Sequence, residues 1–519
     1  FPPPCASDSG SVALGASTTG GMDGGVMTMS AAVPTATVTV TGAGTWRLDG
    51  LTIQAGGTFT ADASTITMDG GWDSSAGTFT FGTSTVIMNA TATLTTIGDT
   101  NANFYNLTIS ALVTITTSVA VGTQNNLTIN GTYIGTGSHW FVGGAPAWTF
   151  GGSGVITLTS ANLVAGGTQS GGGTWGVTTF RQRTNPVTYS ASITVTTGSF
   201  EIRDGTVATF GANSLTVGGN LSSPITSGAG LVFTLGILTL TGNLTVTNVG
   251  DYIQWGSGSH TVGGTYTNNS TSASWDAGTG TVTFTSATGG TMTFAGVNLA
   301  EAEFNNVTFT SSAGTPQVFT MATRAIRWLA TLQISDAVST TELATANLDV
   351  GAIADTPDVS VGDGGILTAN VSTVIVSTVT MTGGTSGVIT VTTGAWTVSG
   401  SWNTSGLGSI YTQGTGIVTF NSAATITLLS TDNTFDDLTI SAGTSTLASA
   451  VVVTNGLIIS GGTFAKSTFA ITSAGSLTMS GGDLTSTSGA VEITGAVNIS
   501  SALSAIDFGS ETWTVSGTW

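Results

Sequence analysis

The sequence predicts an all-β chain that folds as a parallel β-solenoid (β-helix) of stacked coils, each of about 20 residues. Three observations predict this fold. A strand-and-turn cassette recurs along the chain, apolar residues near the carboxyl end recur every seven positions, and the composition favours stacked strands over disorder. Together they specify architecture more closely than activity.

The recurring cassette begins at a Trp followed by Asp or Asn and ends on a short closing strand. Its copies at 72–110, 275–310 and 402–441 close with FYNLTI, FNNVTF and FDDLTI. Residues 512–519 (TWTVSGTW) repeat residues 395–402 (AWTVSGSW) with two changes. Copying of one strand–turn unit predicts a repeat array in which each unit packs on its neighbours.

The spacing of apolar residues gives the size of the coil. Two runs have a spacing of seven: Leu457, Phe464 and Ile471, then Leu477, Leu484 and Val491. About seven residues make one strand and one turn, so three such steps make a coil of about 20 residues with three sides. Coils of this kind stack at the interstrand distance of about 4.8 Å. Inward apolar side chains would then form ladders, with Thr and Ser outside.

The composition is typical of an ordered β protein. Only 6% of the residues are charged, whereas soluble domains average about a quarter. Disorder requires low hydrophobicity, but 40% of this chain is hydrophobic, and much of it is Val, Ile, Thr and Phe. The 7 basic and 26 acidic residues give a net charge of −19, which argues against nucleic acids and anionic membrane surfaces as partners. No apolar run of about 18 residues predicts membrane insertion.

Taken in order, the chain divides into four segments. Residues 1–34 are an irregular leader or cap, 35–319 a solenoid segment, 320–365 a less regular junction, and 366–519 a second solenoid segment that ends in mid-repeat. Residues 320–333 within the junction carry Ala, Leu and Arg at helical spacing, which predicts either a short helix or a strand pair with a wide turn. Tandem β-sandwich domains of about 100 residues are the alternative architecture.

Histidine offers no catalytic grouping. His139 (in GSHWFVGG) and His260 (in GSHTVGG) are far apart in sequence, and we expect both at the surface or in turns. Two isolated histidines make neither a metal cluster nor a triad.

The closing strands place Asn106, Asn306 and Asp437 at one equivalent position. We expect these residues at turns, bonding backbone groups of adjacent coils. Asp436 and Asp437 form an adjacent acidic pair, but the other cassettes have neutral residues there, which favours a structural turn over a general acid. The sequence therefore predicts no catalytic residue and no enzyme.

Calcium is the one cofactor that the sequence suggests, because oxygen-rich turns suit a hard cation. The candidate ligands are Asp69, Asp73, Asp276, Asp358 and Asp363. The nonapeptide repeat of calcium-binding β-rolls is missing, so solvated turn carboxylates are the alternative. Sequons for glycosylation occur at Asn89, Asn106, Asn126, Asn130, Asn243, Asn306, Asn403 and Asn498.

Cysteine and tryptophan supply the candidate assembly residues, Cys5, Trp513 and Trp519. Cys5 is the single cysteine, so it is either an incidental thiol, a bond to a neighbouring subunit or a lipid attachment point. Tryptophans recur at cassette joints, where they either plug the core or form exposed rows that stack on sugars or on a neighbouring rod. They are Trp46, Trp72, Trp148, Trp175, Trp255, Trp275, Trp396, Trp402, Trp513 and Trp519.

The closing strands and the TWTVSGTW joints resemble those of the long Ser/Thr/Gly-rich β-strand-repeat surface proteins of bacteria and archaea, over most of residues 35–519. The resemblance implies an exported, extracellular or cell-surface protein with a structural or adhesive role, and it carries over no catalytic residues.

The sequence therefore predicts a structural subunit of an extracellular filament, sheath or surface layer. The chain ends on the start of another cassette without a polar cap, so we expect solenoid ends to join copies of the chain into a homopolymer. A cell-surface adhesin or glycan-binding stalk, with surface glycans as partners, is the first alternative. A phage tailspike-like polysaccharide-degrading enzyme is the second, and a water-ordering, ice-binding surface is a minor further alternative.

Overall fold

The chain is a parallel β-solenoid with roughly 21 residues per coil. The computed structural model describes residues 11–14, 26–29, 37–40, 42–98, 103–142, 147–151, 154–164, 167–170, 173–223, 228–285, 290–293, 304–310, 317–322, 328–334, 339–343, 358–362, 365–369, 373–381, 387–429, 433–473 and 475–519. Over these residues the secondary structure is entirely β, without a helix. The alternative of tandem β-sandwiches is wrong, because sandwich sheets are antiparallel and the described strands pair in parallel.

Contacts divide the chain into two compact units, Phe1–Gln254 and Trp255–Trp519. The predicted junction at 320–365 lies inside the second unit.

In the first unit the strands follow one another around three sides. The first ladder contains Thr45–Leu48, Thr65–Met68, Thr85–Met88, Phe104–Ile109, Val121–Ile129, Ala147–Gly151, Gly167–Ser170, Val187–Tyr189, Val207–Gly211, Gly230–Phe233 and Tyr252–Gln254. The second ladder contains Val26–Met29, Gly50–Ile53, Trp72–Asp73, Ala92–Thr95, Thr114–Thr117, Thr132–Gly135, Val155–Thr157, Gly173–Trp175, Ile193–Val195, Leu215–Val217 and Leu238–Leu240. The third side carries Ser11–Leu14, Thr37–Val40, Thr58–Thr60, Thr78–Thr80, Ser138–Phe141, Ser160–Leu163, Thr179–Gln182, Ser199–Ile202, Leu221–Ser223 and Leu244–Val246.

The second unit has the same plan. One ladder contains Ser259–Val262, Thr281–Phe284, Phe304–Phe309, Trp328–Ile334, Asp358–Val361, Val379–Met381, Trp402–Thr404, Ala424–Leu428, Thr444–Leu447, Thr463–Ala465, Asp483–Thr485 and Ala505–Ile506. Another contains Tyr266–Asn268, Gly290–Thr293, Gln317–Ala322, Ser339–Leu343, Ile366–Thr368, Val388–Val391 and Ile410–Gln413. The remaining strands are Val374–Val376, Trp396–Val398, Ile417–Phe420, Thr434–Ile440, Val451–Ile459, Ile471–Ser473, Ser476–Met479, Val491–Ile493, Val497–Ile499 and Trp513–Val515.

The predicted spacing of seven is confirmed in the second unit. Residues seven apart lie on three successive sides, and residues one coil apart pair directly: Leu457 with Leu477, Phe464 with Leu484, and Ile471 with Val491. All six side chains are buried. Stacking therefore places each inward side chain against its equivalent in the next coil, and this contact removes apolar surface from water.

Two predictions about irregular segments are corrected. The leader predicted over 1–34 contains the strands Ser11–Leu14 and Val26–Met29, which pair with Thr37–Val40 and Gly50–Ile53. Backbone pairing with the next coil overrides the Gly-rich sequence around them. At 320–333 the described residues belong to strands ending at 322 and beginning at 328, so the strand pair is found and the helix is wrong. Residues 323–327 lie outside the described part.

Glycines with a left-handed backbone stack at one corner of the second unit. Gly443, Gly462 and Gly482 have φ of 69°, 71° and 81°. A Cβ on Gly462 would lie 2.2 Å from the carbonyl oxygen of Gly443, and one on Gly482 would lie 2.4 Å from that of Gly462. The corner therefore requires glycine twice over, for its backbone angle and for the close approach of the next coil.

We expect Gly462→Ala to destabilise the chain by at least about 1–2 kcal/mol, because the left-handed angle alone costs that much for an L-residue. Ser480→Ala, an exposed change at the same corner of the next coil, is the control and should stay within about 0.5 kcal/mol of the parent. Urea unfolding measures both. Equal midpoints for the two variants would contradict the account of this corner.

Candidate functional site

Both histidines are buried in strands, so the expectation of surface or turn positions is wrong. His139 lies inward on Ser138–Phe141, and its Nε2 is 3.1 Å from the hydroxyl of Thr123. His260 Nε2 lies 2.7 Å from the carbonyl oxygen of Trp255, which fixes the proton on Nε2 in the neutral ring. Burial lowers the pKa of His139 to about 3 and that of His260 to about 4. Both are therefore neutral core residues near pH 7.

The shared cassette position lies inside a strand, at a bulge that forms a corner of the solenoid, so the expectation of a turn is wrong. The ladder register shifts just before Asn106, Asn306 and Asp437. Asn106 Oδ1 accepts a backbone N–H from the next coil at 3.2 Å, and Asn306 donates to the backbone carbonyl of Gly280 at 3.4 Å. Asp437 instead accepts from the side-chain amide of Asn455, at 3.1 Å. The position links adjacent coils at a bulge.

The acidic pair is part of the same corner. Asp436 accepts a hydrogen bond from the hydroxyl of Thr454 at 3.0 Å, while Asp437 is bound by the next residue along, Asn455. Each carboxylate is thus engaged by a neighbouring coil. This is the arrangement expected of a structural corner.

Two of the calcium candidates in the first unit have protein partners. Asp69 accepts hydrogen bonds from Asn89, at 2.9 Å, and from Arg47. These hydrogen bonds, that of Asn89 first, hold the pKa of the Asp69 carboxyl below its usual value despite some desolvation. Asp73 accepts from the backbone and the hydroxyl of Ser75 at 3.0 and 2.6 Å, which is a local Asx turn.

The described candidates in the second unit also accept hydrogen bonds from the protein backbone. Asp276 accepts the backbone N–H of Gly278 at 2.8 Å, and Asp358 accepts that of Thr378 in the next coil at 3.1 Å. Asp363 lies outside the described residues. No group of three or more His, Cys, Asp or Glu side chains suited to a metal ion occurs in the described part of the chain.

The sequons divide by exposure. Asn89, Asn130, Asn243 and Asn498 are exposed, whereas Asn106, Asn126, Asn306 and Asn403 are half-buried in strands. Asn106 also uses its amide nitrogen to donate to the hydroxyl of Thr85 at 3.1 Å. The exposed four are the accessible acceptor positions.

The tryptophans at the cassette joints are core residues rather than an exposed row. Seven of the ten are buried: Trp46, Trp72, Trp175, Trp255, Trp275, Trp396 and Trp402. Trp402, for example, meets Trp396 edge to face at 5.6 Å between ring centroids and Phe435 at 5.8 Å. The Trp148 side chain lies outside the described part.

The three candidate assembly residues have different surroundings. Cys5 lies outside the described residues. Trp513 donates its indole N–H to Glu511 at 3.1 Å and meets Phe508 edge to face at 4.9 Å. Trp519 is 65% exposed, with its ring 6.4 Å from that of Phe508. Of the three, Trp519 presents an aromatic surface to solvent.

The single lysine of the chain is buried at a corner. Lys466 donates to the carbonyl oxygens of Phe469, Ser488 and Gly489 at 3.0, 2.5 and 3.1 Å, and its Nζ lies 4.0 Å from Glu511 Oε1. Both charged side chains have no exposed surface. Burial lowers the pKa of Lys466, and the Glu511 charge opposes that shift. Lys466, the three carbonyl oxygens and Glu511 form a lysine clamp, which the sequence does not predict because its members lie 3 to 45 positions apart along the chain.

A second charged group that the sequence analysis missed lies on the third side of the first unit. Glu201 Oε2 accepts from Arg181 at 3.0 Å and from Arg203 at 2.6 Å. Beside them, the guanidinium of Arg183 lies over the Trp140 ring, 5.5 Å from its centroid. The spacing of 20 between Arg181 and Glu201 equals one coil, and that spacing was the available signal. We call Trp140, Arg181, Arg183, Glu201 and Arg203 the arginine surface.

Comparison with known proteins gives no match: no family model fits the chain, and neither a curated protein nor a solved structure is detectably similar to it. Among the described residues there is no helix with the length and apolar character that a membrane crossing requires.

The buried histidines predict a loss of stability in mild acid. Their folded-state pKa values lie below the ordinary value of about 6.5, so the unfolded chain binds protons on these rings more readily than the folded chain does. Above pH 6.5 this does not reduce the free energy of unfolding. Below pH 6.5 stability is lost, down to about pH 4 for His260 and about pH 3 for His139. Each should cost about 1.4 kcal/mol per pH unit below pH 6.5. Between pH 6.5 and 5, where carboxylates stay ionised, His139→Phe should reduce the slope of stability against pH in urea unfolding.

Tyr133→Phe is the matched control, because it changes a neighbouring buried ring, 5.9 Å from His139, that does not titrate in this range. It should leave the slope unchanged. A His139→Phe slope identical to that of the parent would show that this ring is protonated in the folded chain.

The lysine clamp predicts an unreactive amine. In the folded chain an amine-reactive ester should leave Lys466 unmodified, and in the urea-unfolded chain it should modify this lysine, as read by peptide mass spectrometry. Glu511→Gln removes one partner of a buried ion pair, which costs about 3–5 kcal/mol, and should expose Lys466 to the reagent. Glu492→Gln, an exposed change, is the control. Rapid modification of Lys466 in the folded parent would contradict the buried placement.

Proposed function

We propose that the chain is a structural subunit of an extracellular filament, sheath or surface layer. The observation that carries this proposal is the continuous stacking of coils within each unit. Parallel backbone ladders link successive coils on every side, and inward side chains fill the space between them. Such a construction resists extension along the stack, because every coil is held by hydrogen bonds to the coils before and after it.

The outward surface supports an extracellular structural role. Outward strand positions carry small hydroxyl residues that repeat from coil to coil, as in the ladder Thr174, Thr194, Thr216 and Thr239. A hydroxyl surface with few charges limits the repulsion between surfaces of neighbouring copies, and the net charge of −19 limits uncontrolled association.

Copies of the chain are the partners in this proposal. The backbone groups that pair one coil with the next serve equally well between coils of different chains, and head-to-tail contacts of this kind generate an open filament. Assembly through solenoid ends is therefore the mode of polymerisation that we propose, with calcium not required for it.

The described structure does not support the adhesin alternative. An adhesin of this kind would use exposed rows of tryptophan to stack on sugars, whereas most of the cassette tryptophans are in the core.

The tailspike-like enzyme would use clustered carboxylates, whereas the adjacent acidic pair, Asp436 and Asp437, forms hydrogen bonds at a corner. Neither alternative gains support from another described feature.

Electron microscopy of the purified native material at low concentration tests the proposal. We expect long uniform fibres with an axial repeat of about 4.8 Å, the distance between stacked strands. Fibres that dissociate in a strand-disrupting denaturant and reform on its removal would strengthen the result. Discrete rods or beads under all conditions would contradict a filament subunit and favour a stalk.

A further inference from the structure

Three of the four basic residues of the first unit lie in one group. Between residues 100 and 250 the chain has five Asp, Glu, Lys or Arg residues: Arg181, Arg183, Glu201, Arg203 and Asp204. These three basic and two acidic residues have a net charge of +1, and the rest of the chain, with 4 basic and 24 acidic residues, has −20. A local excess of positive charge in so acidic a chain therefore lies among coils that carry no other charge.

The ladder register brings these residues to one side. Trp140, Asn162, Arg181 and Glu201 are paired in four successive coils, at one position of the ladder, where Asn162 is buried and the other three are partly exposed. Arg183 lies one residue beyond the strand Thr179–Gln182, and its guanidinium reaches the Trp140 ring on the same side. The residues of the arginine surface therefore lie within a few coils, each about 4.8 Å from the next.

Within this surface the three arginines are not equivalent. Glu201 binds both Arg181 and Arg203, which satisfies its own charge and fixes those two guanidinium groups. No described carboxylate lies within ion-pair distance of Arg183. Its Nε is buried without a hydrogen-bond partner, while its Cζ lies over the Trp140 ring, 5.5 Å from the centroid. A guanidinium placed by an aromatic ring, with no carboxylate of its own, can bind a carboxylate through two parallel hydrogen bonds.

We propose that the arginine surface binds carboxylates of a second copy of this chain and pairs the solenoids side by side. The occupant follows from charge complementarity, because a second copy offers a net charge of −20 outside this region. The uncharged coils on either side of the surface allow a close approach without repulsion between like charges. This inference rests on the proposed function, since it adds lateral contacts to an assembly formed through solenoid ends.

Arg47 supplies the matched control. It is 53% exposed and paired with Asp69, in the same unit but on another side. Arg183→Gln and Arg47→Gln remove the same charge, but only the first removes a guanidinium without a carboxylate partner. An exposed ion pair contributes little to affinity or stability, so Arg47→Gln should have a small effect.

The test is sedimentation velocity of the purified chain at about 10 mM and about 1 M salt, where the screening length is about 30 Å and about 3 Å. We expect the parent to associate at low salt and to dissociate at high salt. Arg183→Gln should weaken the low-salt association about tenfold or more, the effect of losing one charge-assisted bidentate contact. Arg47→Gln should change it by less than about twofold. Circular dichroism confirms that both variants fold.

Three outcomes would overturn the inference. Equal weakening by both variants would show a response to net charge alone. Association that neither variant changes would point to contacts at the solenoid ends. The proposed function would then stand, but without a role for the arginine surface.

Polygalacturonate is added in a separate run as an acidic polysaccharide probe. Binding that requires Arg183, without any association of the chain with itself, would assign the surface to an acidic polysaccharide. Loss of filaments in electron microscopy bears on the proposed function and leaves this measurement unaffected.

Discussion

The pairing of each coil with the next, at one fixed register, is the constraint on which the rest of the structure depends. Because a coil has about 21 residues, each side chain packs against the residues at the equivalent positions one coil before and one coil after it. Parallel strands then require apolar residues to stack on apolar residues, and buried polar groups bond within their own coil or to a neighbouring one, as His260 and His139 do. Corners, where the chain changes sides, are the places at which sequence specificity concentrates.

The corners meet that requirement in different ways. A left-handed glycine is needed where the next coil passes within contact distance, as at Gly462. An Asn or Asp at a bulge bonds the next coil, as at Asn106. The buried ammonium of Lys466 donates hydrogen bonds to three carbonyl oxygens and lies 4.0 Å from a carboxylate oxygen of Glu511, so one side chain links neighbouring coils. Removing one partner of a buried ion pair is costly, because the other charge then stays buried without compensation.

Much of this fold is predictable from sequence, because the signal is periodic. The spacing of Leu457, Phe464 and Ile471 gives both the sides and the coil length, and the structure confirms it. His139 was misplaced because a single polar residue among Gly and aromatic residues does not reveal which way it points. Only the pairing of its strand shows that it faces inward, against Phe141.

The arginine surface was missed for a related reason. Arg181 and Glu201 are 20 residues apart in the sequence. Their contact becomes predictable only when this spacing is compared with the length of one coil. The helix considered at 320–333 failed differently, since Ala and Leu at helical spacing are overridden when both flanking segments pair with neighbouring coils.

The most direct test of the stacking register is a distance between spin labels on one outward ladder. Labels at Thr174 and Thr239, in a Cys5→Ser background, are separated by 65 positions in sequence but by three coil steps in the ladder. The account predicts a single narrow distance near 14 Å between the labelled backbone positions, three times the interstrand spacing. A broad distribution, or a mean distance beyond about 30 Å, would contradict a continuous stack of coils.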